Sequence, residues 1–197
     1  TPTVNDNSGT TANLSSLSPN TLYYWWVRSD CGGGDTSVWA SGGSFLTNCD
    51  NVTSLPFLET FDTTSSTIGC WRVNAGIGAT VQWGITTADA SHGASAPAAS
   101  THFGYLNVFS ASSSYNTYNL TSPNVVLDAT PRRLKYKYFL GTSGYSLTPV
   151  PLTVQISVNG GAYTNLYTHT SANSTFATSS TSPWQTNIID LSAYSGS

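Results

Sequence analysis

Short runs in which apolar and polar residues alternate are the most regular feature of this chain. The run Leu134–Leu140 places leucine or tyrosine at every second position, with two lysines between them, and the run Leu152–Val158 alternates aliphatic with polar residues. A period of two predicts half-buried antiparallel strands. Asn159-Gly160 follows the second run, and because both residues tolerate positive φ this dipeptide predicts a two-residue hairpin turn.

Turn residues separate these runs throughout the chain, and no stretch keeps the 3.6-residue period of an amphipathic helix. Several short strands divided by Gly, Ser, Asn and Pro predict an all-β sandwich. We therefore expect no helix longer than about two turns.

An aromatic run, Leu22–Arg28, follows a Pro-Asn turn. Its alternation predicts that Tyr23, Trp25 and Val27 share the inner face of a strand and that the residues between them form the outer face. We accordingly expect Trp25, like Trp71 further along the chain, to lie in a core.

Composition narrows the class of protein. Charged residues make up 8% of the chain and aromatic residues 12%, whereas disorder normally needs few aromatics and high net charge. The net charge of −3 argues against nucleic acid as a main partner, because phosphate neutralisation needs a basic surface. No apolar run approaches the ~20 residues of a membrane span. This composition is typical of an all-β extracellular protein.

The first part of the chain carries a recognisable order of residues: Leu17, Pro19-Asn20-Thr21, Tyr23, Val27-Arg28, Trp39 and Phe45-Leu46-Thr47. This order resembles the last three strands of a fibronectin type III domain. The resemblance implies that residues 1–47 are the C-terminal part of a fibronectin type III-like sandwich. It also implies a tyrosine corner, in which the Tyr23 hydroxyl bonds to backbone near Leu17 or Ser18.

A second set of motifs follows the polar joint at 48–51: Leu55–Asp62, Gly69-Cys70-Trp71, Leu120–Leu127, Leu134–Leu140 and Val154–Gly161. Their order is similar to that of MAM-like jelly-roll domains, which are related in architecture to the cleaved-adhesin domains of bacterial proteinases. The resemblance implies that residues 48–197 form a jelly-roll β-sandwich that lacks its last strand.

Both modules resemble those of secreted surface proteins of the Bacteroidetes. The resemblance implies a fragment of a multidomain protein exported by the type IX route. We expect the missing strands either in continuations of the chain or in neighbouring copies that donate a strand. Cys31 is expected to have lost its partner together with the front strands.

Cys49 and Cys70 flank the first predicted strand of the second region and enclose a loop of about 22 residues, so a bridge would stabilise the fold by about 3 kcal/mol. The secreted character of the chain favours this disulfide. Two buried free thiols are the alternative.

Glu59 is the only glutamate in the chain and lies close to Asp62. In similar jelly rolls an acidic residue at this place joins one from the last strand and backbone carbonyls around a calcium ion. The resemblance therefore implies a structural calcium site at Glu59 and Asp62. Calcium takes six to eight oxygens and only two carboxylates are local, so capping or turn carboxylates are the alternative.

Four of the six Lys and Arg residues fall within six positions: Arg132, Arg133, Lys135 and Lys137. The two lysines lie on the polar face of a predicted strand, which indicates a stripe for an anionic polysaccharide or lipopolysaccharide. The alternative, which this pattern alone favours, is a solvated face or a set of charges that guards a strand against edge pairing.

Several aromatic residues are candidates for stacking on sugars: Trp26, Trp39, Trp83, Trp184 and Tyr145. We include Trp83 and Trp184 with the four cations in the predicted ligand-binding site. A sandwich core and its corners also use Trp and Tyr, and that is the alternative.

No catalytic pattern is present in the sequence. The three histidines, His92, His102 and His169, have no metal-ligand spacing. A single Glu excludes a paired-Glu glycosidase site, whereas a pair of Asp residues stays open as an alternative. We expect no enzyme activity. The sequence predicts a secreted or cell-surface segment for adhesion or for matrix or filament assembly, with a polysaccharide, a protein or copies of itself as partner. An accessory carbohydrate-binding segment of a secreted hydrolase or protease is the alternative, and a spacer that binds nothing is a third interpretation.

Overall fold

The computed structural model describes residues 11–75, 81–89, 94–97, 100–107, 117–141, 151–174 and 184–196. The strands in these ranges are β1 Leu22–Val27, β2 Asp30–Gly32, β3 Asp35–Thr36, β4 Ala40–Leu46, β5 Arg72–Ala75, β6 Gly84–Thr86, β7 Ala88–Asp89, β8 Ala94–Ser95, β9 Phe103–Tyr105, β10 Tyr118–Thr121, β11 Arg133–Tyr138, β12 Leu152–Ile156, β13 Thr164–His169 and β14 Gln185–Asp190. Two 3₁₀ helices of three residues lie at Ile68–Cys70 and Ser192–Tyr194.

The all-β class is confirmed, and within the described ranges no helix is longer than a single 3₁₀ turn. The strands there form seven two-stranded antiparallel sheets: β1–β4, β2–β3, β5–β10, β6–β9, β7–β8, β11–β14 and β12–β13. Val52 and Val125 add an isolated parallel bridge. None of the described helices is long and apolar enough to cross a membrane.

The chain divides into two compact units, Thr1–Asp50 and Asn51–Ser197. The sequence places the boundary after Thr47. The fibronectin type III-like and jelly-roll identities of the two units stay predictions.

The first unit contains the predicted tyrosine corner. The backbone N–H of Ser18 donates to the Tyr23 hydroxyl at 2.9 Å, which confirms the expected bond. The Thr47 hydroxyl donates to the Ser18 carbonyl at 2.7 Å and accepts from the Thr21 N–H at 2.9 Å. The turn before β1 is thus tied to the residue that follows β4.

Trp25 is 42% exposed, so the prediction that it lies in a core is wrong. Among the described residues of this unit the sheets have two strands each, and no second layer covers the ring. The indole instead lies directly over Gly42 of β4, so closely that a Cβ atom at this glycine would overlap the ring. Trp71 is half-buried, with its ring 4.9 Å from that of Phe61.

The most buried side chains lie in the second unit. Tyr138 on β11 is 8% exposed and His169 on β13 is 1% exposed. Their rings are 4.0 Å apart, so the β11–β14 pair packs here against the β12–β13 pair. Phe103 on β9 is also buried and makes an edge contact with Trp184 at 5.3 Å.

The alternation predicted for both strands is confirmed. On β11 the residues on the Tyr136 face are buried or half-buried and those on the Lys135 face are exposed, and β12 alternates in the same way. The turn after β12 has Asn159 at φ 52° and Gly160 at φ 73°. It closes with a bond from the Gly161 N–H to the Val158 carbonyl at 2.9 Å, although the ladder itself begins only at Ile156 and Thr164.

Candidate functional site

Three of the four predicted cations share the exposed face of β11. Arg133, Lys135 and Lys137 occupy alternate positions and are exposed, whereas the residues between them face inward. Alternate residues of a strand stand about 6.6–6.8 Å apart, so the strand holds these charges in an evenly spaced line. We call Arg133, Lys135 and Lys137 the cationic row.

Arg132 lies outside this row. Its Nε donates to Asp128 Oδ1 at 3.0 Å and its terminal nitrogen to Oδ2 at 2.5 Å. This fork-shaped pair lowers the pKa of Asp128 and raises that of Arg132. The structure therefore commits Arg132 to a local ion pair that fixes the turn before β11.

The neighbouring strand β14 sets the surroundings of the row. Across the ladder Arg133 pairs in register with Asp190, Lys135 with Ile188 and Lys137 with Thr186. The pKa of Asp190 is lowered by hydrogen bonds from Ser192 and by the charge of Arg133. Asp190 thus partly neutralises the Arg133 end of the row.

Trp83 and Trp184, the aromatic members of the predicted ligand site, are half-buried. The Trp83 indole N–H donates to the Tyr118 carbonyl at 2.9 Å, and the Trp184 ring contacts Phe103 at 5.3 Å and Phe139 at 5.8 Å. Both rings take part in packing within the second unit, and their membership of the ligand site stays a prediction. Tyr145 and His92 lie outside the described residues.

Two strongly exposed aromatic rings stand next to each other in the first unit. Tyr24 is 62% exposed and Trp26 53% exposed, and their ring centroids are 6.3 Å apart with planes tilted by 31°. Trp39 carries the Arg28 guanidinium 4.8 Å from its ring centroid. Tyr24 was missed among the sugar-stacking candidates, although the predicted alternation of β1 already places it on the outer face with Trp26.

Glu59 is a hydrogen-bond hub for the loop that precedes β5. One carboxylate oxygen accepts from the Phe61 N–H at 2.7 Å, and the other accepts from the Thr67 hydroxyl at 2.7 Å and the Trp71 indole at 2.9 Å. Partial burial raises the pKa of Glu59, but these bonds and one from Ser65 outweigh burial, so its pKa lies below the ordinary value. The side chain is therefore a structural carboxylate of this loop.

Asp62 belongs to a different cluster. Its Oδ1 accepts from the hydroxyl and the N–H of Thr101, at 2.5 and 2.7 Å, and these bonds hold its pKa well below the usual range. His102 Nδ1 lies 3.5 Å from the same oxygen. The Ser100 hydroxyl contacts the main-chain carbonyls of Thr60 and His102 at 2.5 and 2.7 Å, and not the imidazole. The His102 imidazole instead contacts the Thr101 hydroxyl at 2.8 Å, and that hydroxyl gives its own proton to Asp62. Asp62, Ser100 and His102 therefore do not form a nucleophile–base pair.

The described residues contain no group of three or more His, Cys, Asp or Glu that could hold a metal ion. The structure places Glu59 and Asp62 in separate hydrogen-bond clusters. Calcium at this pair stays a prediction.

The predicted disulfide between Cys49 and Cys70 is confirmed. Cys31, the middle residue of β2, has a free, exposed thiol. Disulfides persist in oxidising compartments, so the bridge is compatible with an extracellular protein.

Comparison of the chain with protein-family models, curated proteins and solved structures found no match. The fold class and the local geometry above therefore stand as the basis for a functional assignment.

Proposed function

We propose that this chain is a non-catalytic extracellular segment of a multidomain bacterial surface protein, and that it serves in adhesion or in matrix or filament assembly. The contact surface is the cationic row, and the ligand is an anionic polysaccharide. The single observation that carries the proposal is the placement of Arg133, Lys135 and Lys137 on one exposed strand face, in a chain whose net charge is −3. The disulfide supports an oxidising compartment. The fibronectin type III-like and jelly-roll identities and type IX export belong to the same proposal.

The energetics suit adhesion through many weak contacts. An exposed ion pair is worth at most about 1 kcal/mol and is screened by salt. One row therefore binds a polyanion weakly, and useful strength requires several copies acting on one polymer. Repetition of this kind is the ordinary situation in an extracellular matrix.

The test is binding of the full chain to dextran sulfate, with unsubstituted dextran as the uncharged ligand. The variant Lys135→Gln/Lys137→Gln removes two charges of the row. Its matched control, Arg28→Gln/Arg72→Gln, removes two cations that lie outside β11 and gives the same net charge. We expect about tenfold weaker binding for the row variant alone, from two contacts of about 0.7 kcal/mol each.

Equal loss in both variants would mean that only net charge matters, and the proposal would be wrong. Unchanged binding accompanied by aggregation of the row variant would instead assign the lysines to edge protection. Such protection is physically reasonable, because in the described residues β11 is hydrogen-bonded on one side only, to β14.

A second candidate, accessory carbohydrate binding, is favoured by the exposed rings of Tyr24, Trp26 and Trp39. Adjacent exposed rings such as Tyr24 and Trp26 form the kind of apolar surface that is typical of ligand-binding sites, and they offer flat faces to a sugar. An array of neutral glycans tests this candidate, with Trp26→Ala as the variant. Trp25→Ala, on the opposite face of the same strand, is the control. Saturable binding that only Trp26→Ala abolishes would favour this function.

A structural calcium ion, predicted at Glu59 and Asp62, is part of the first proposal. Because hydrogen bonds commit Glu59 to its loop, we propose Asp62 as the acidic ligand. The carbonyls of Thr60 and His102 converge on the Ser100 hydroxyl, which lies 3.5 Å from Asp62 Oδ1. Oxygens of this kind suit calcium. We expect calcium to raise the melting temperature of the native chain and of Glu59→Gln but not of Asp62→Asn. No shift for the native chain would remove calcium from the proposal.

A further inference from the structure

His169 is the most deeply buried polar residue among those described, with 1% of its surface exposed. It is the last residue of β13. Its ring lies 4.0 Å from that of Tyr138 and 5.7 Å from that of Tyr136, both on β11, and 4.7 Å from that of its own neighbour Tyr167. The imidazole therefore sits in the seam between the β11–β14 pair and the β12–β13 pair, enclosed by tyrosine rings.

Both ring nitrogens of His169 are hydrogen-bonded to hydroxyls. Nε2 lies 2.7 Å from the Tyr136 hydroxyl, and Nδ1 lies 2.8 Å from the Ser174 hydroxyl. Each hydroxyl continues to an asparagine: the Asn187 amide nitrogen lies 2.8 Å from the Tyr136 oxygen, and the Ser174 oxygen lies 3.0 Å from Asn173 Oδ1. A continuous chain of bonds thus links β14, β11, β13 and the turn after β13.

Main-chain groups at both ends fix the order of donors and acceptors along this series of hydrogen bonds. Asn187 Oδ1 accepts from the Ile188 N–H at 3.0 Å, so its NH₂ group faces Tyr136. Asn173 Oδ1 accepts from the Thr170 N–H at 2.8 Å, and its NH₂ group donates to the Thr168 carbonyl at 2.9 Å. The Asn187 amide can therefore only donate to the Tyr136 hydroxyl. The Asn173 amide can only accept from the Ser174 hydroxyl.

The protonation state of His169 follows from these directions. Because Tyr136 accepts from Asn187, its own proton points to Nε2. Because Ser174 donates to Asn173, it accepts from Nδ1–H. The imidazole is neutral, with its proton on Nδ1. A second proton on Nε2 would leave the Tyr136 hydroxyl between two donors and its own hydrogen without an acceptor in the chain.

No carboxylate among the described residues contacts the imidazole. The titratable groups that face it are the hydroxyls of Tyr136 and Tyr138 on β11 and of Tyr167 on β13. Leu152 of β12 pairs with it in register. On the reverse face of β11 stand Lys135 and Lys137, and the acid of β14, Asp190, is on that same exposed face. Burial opposes a positive charge here, whereas the tyrosine rings offer cation–π attraction.

We propose that His169 makes this seam acid-labile: uptake of one proton by the imidazole breaks the directed hydrogen-bond chain and loosens the β12–β13 pair from the β11–β14 pair. The device is a pH-sensitive joint inside the second unit. It is independent of which ligand the cationic row binds.

The direction of the pH effect follows from linkage. Burial lowers the pKa of His169 below its ordinary value of 6.5, so between that value and the folded pKa the unfolded chain binds a proton that the folded chain does not. Stability is therefore fully present above about pH 6.5 and falls as the pH decreases. One proton changes the ratio of folded to unfolded molecules by at most about tenfold per pH unit.

The test is the urea unfolding midpoint of the full 197-residue chain between pH 8 and pH 5. We expect a flat midpoint down to about pH 6.5 and a fall below it. His169→Phe keeps an aromatic ring and should remove the fall. His102→Gln, which alters the histidine beside Asp62, is the control and should keep it. A fall that persists unchanged in His169→Phe would overturn the proposal.

A second measurement does not depend on whether that variant folds. NMR titration of the native chain follows the carbon-bound imidazole protons of His169 directly. We expect a midpoint below 6.5, with loss of the tyrosine ring-current shifts at the same pH. A midpoint at or above that value would mean that attraction to the tyrosine rings outweighs burial, and the joint would then not be acid-labile.

Discussion

Strands β1 and β11 both have aromatic residues at alternate positions, but the two strands differ in how far these residues are buried. On β11, Tyr136 and Tyr138 alternate with lysines, and only the tyrosine face is covered. On β1 aromatic residues occupy both faces, and the described part of that unit provides no second layer for either. Alternation thus assigns each residue to a face, but a second layer decides whether that face becomes a core.

In the absence of a second layer in the described part of this unit, the rings of β1 pack against residues of the paired strand β4. Tyr23 stacks on Phe45 with centroids 5.8 Å apart, and Trp25 lies over Gly42. Contacts of this type stabilise a two-stranded sheet by tenths of a kcal/mol each. Burial of a whole aromatic ring, as for Tyr138, contributes several times more.

The largest expected effect tests this difference with one substitution made in both strands. Tyr138→Ala removes a buried ring and its 2.8 Å bond to Gln185, and we expect a loss of about 3–5 kcal/mol of unfolding free energy. Tyr24→Ala should cost less than about 1 kcal/mol, because that ring is largely exposed. Urea unfolding measures both losses. Similar values would contradict the interpretation that a second layer decides whether a strand face becomes a core.

A covalent bond can stabilise a fold whose described core is small. Cys49→Ser/Cys70→Ser should lower the unfolding free energy by about 3 kcal/mol, because the bridge closes a loop of about 22 residues in the unfolded chain. Cys31→Ser is the control and should change it by less than about 0.5 kcal/mol, since that thiol is exposed and free. Thermal unfolding with and without reductant gives an independent value.

The contact between Trp25 and Gly42 predicts a smaller effect. In Gly42→Ala the new methyl group would meet the indole ring, and we expect a loss of about 1–3 kcal/mol as the ring shifts. Gly84→Ala has open space around its Cβ position and should be nearly neutral. Indole fluorescence should move only in Gly42→Ala. An unchanged spectrum there would mean that the ring does not rest on β4.

The smallest effect concerns the tyrosine corner. Tyr23→Phe removes the acceptor of the Ser18 N–H, and we expect a loss of about 1 kcal/mol, the usual worth of one hydrogen bond. Tyr24→Phe, one residue along and on the outer face, should leave the unfolding midpoint unchanged. Equal midpoints in the two variants would count against the corner.

The parts of the fold that were predictable depend on neighbouring residues. The alternation of β11, the positive φ at Asn159-Gly160 and the bond from Tyr23 to Ser18 all arise within a few positions of the chain. The exposure of Trp25 was not predictable, because it depends on which strands come together. For the same reason the sequence identified no role for His169: its partner Tyr136 is 33 residues away.

The candidate site was predictable to a similar degree. The spacing of Arg133, Lys135 and Lys137 is enough to place them on one face. The ion pair between Arg132 and Asp128 could not be predicted in the same way, because it depends on the geometry of the turn. The part of Glu59 as a loop hub depends on the Trp71 indole, which only the folded loop brings to its carboxylate.

The nesting of the last four strands has a consequence for the time course of folding. Contacts between β12 and β13 join residues as few as 8 positions apart, Ile156 and Thr164, whereas Tyr138 and Gln185, which pair β11 with β14, are 47 apart. Closing the longer loop costs about 1.6 kcal/mol more in chain entropy. We therefore expect the inner hairpin to form early and the outer pair to close over it, with His169 already placed at the end of β13. In a stopped-flow experiment, substitutions in the hairpin should slow refolding, whereas those in β14 should mainly accelerate unfolding.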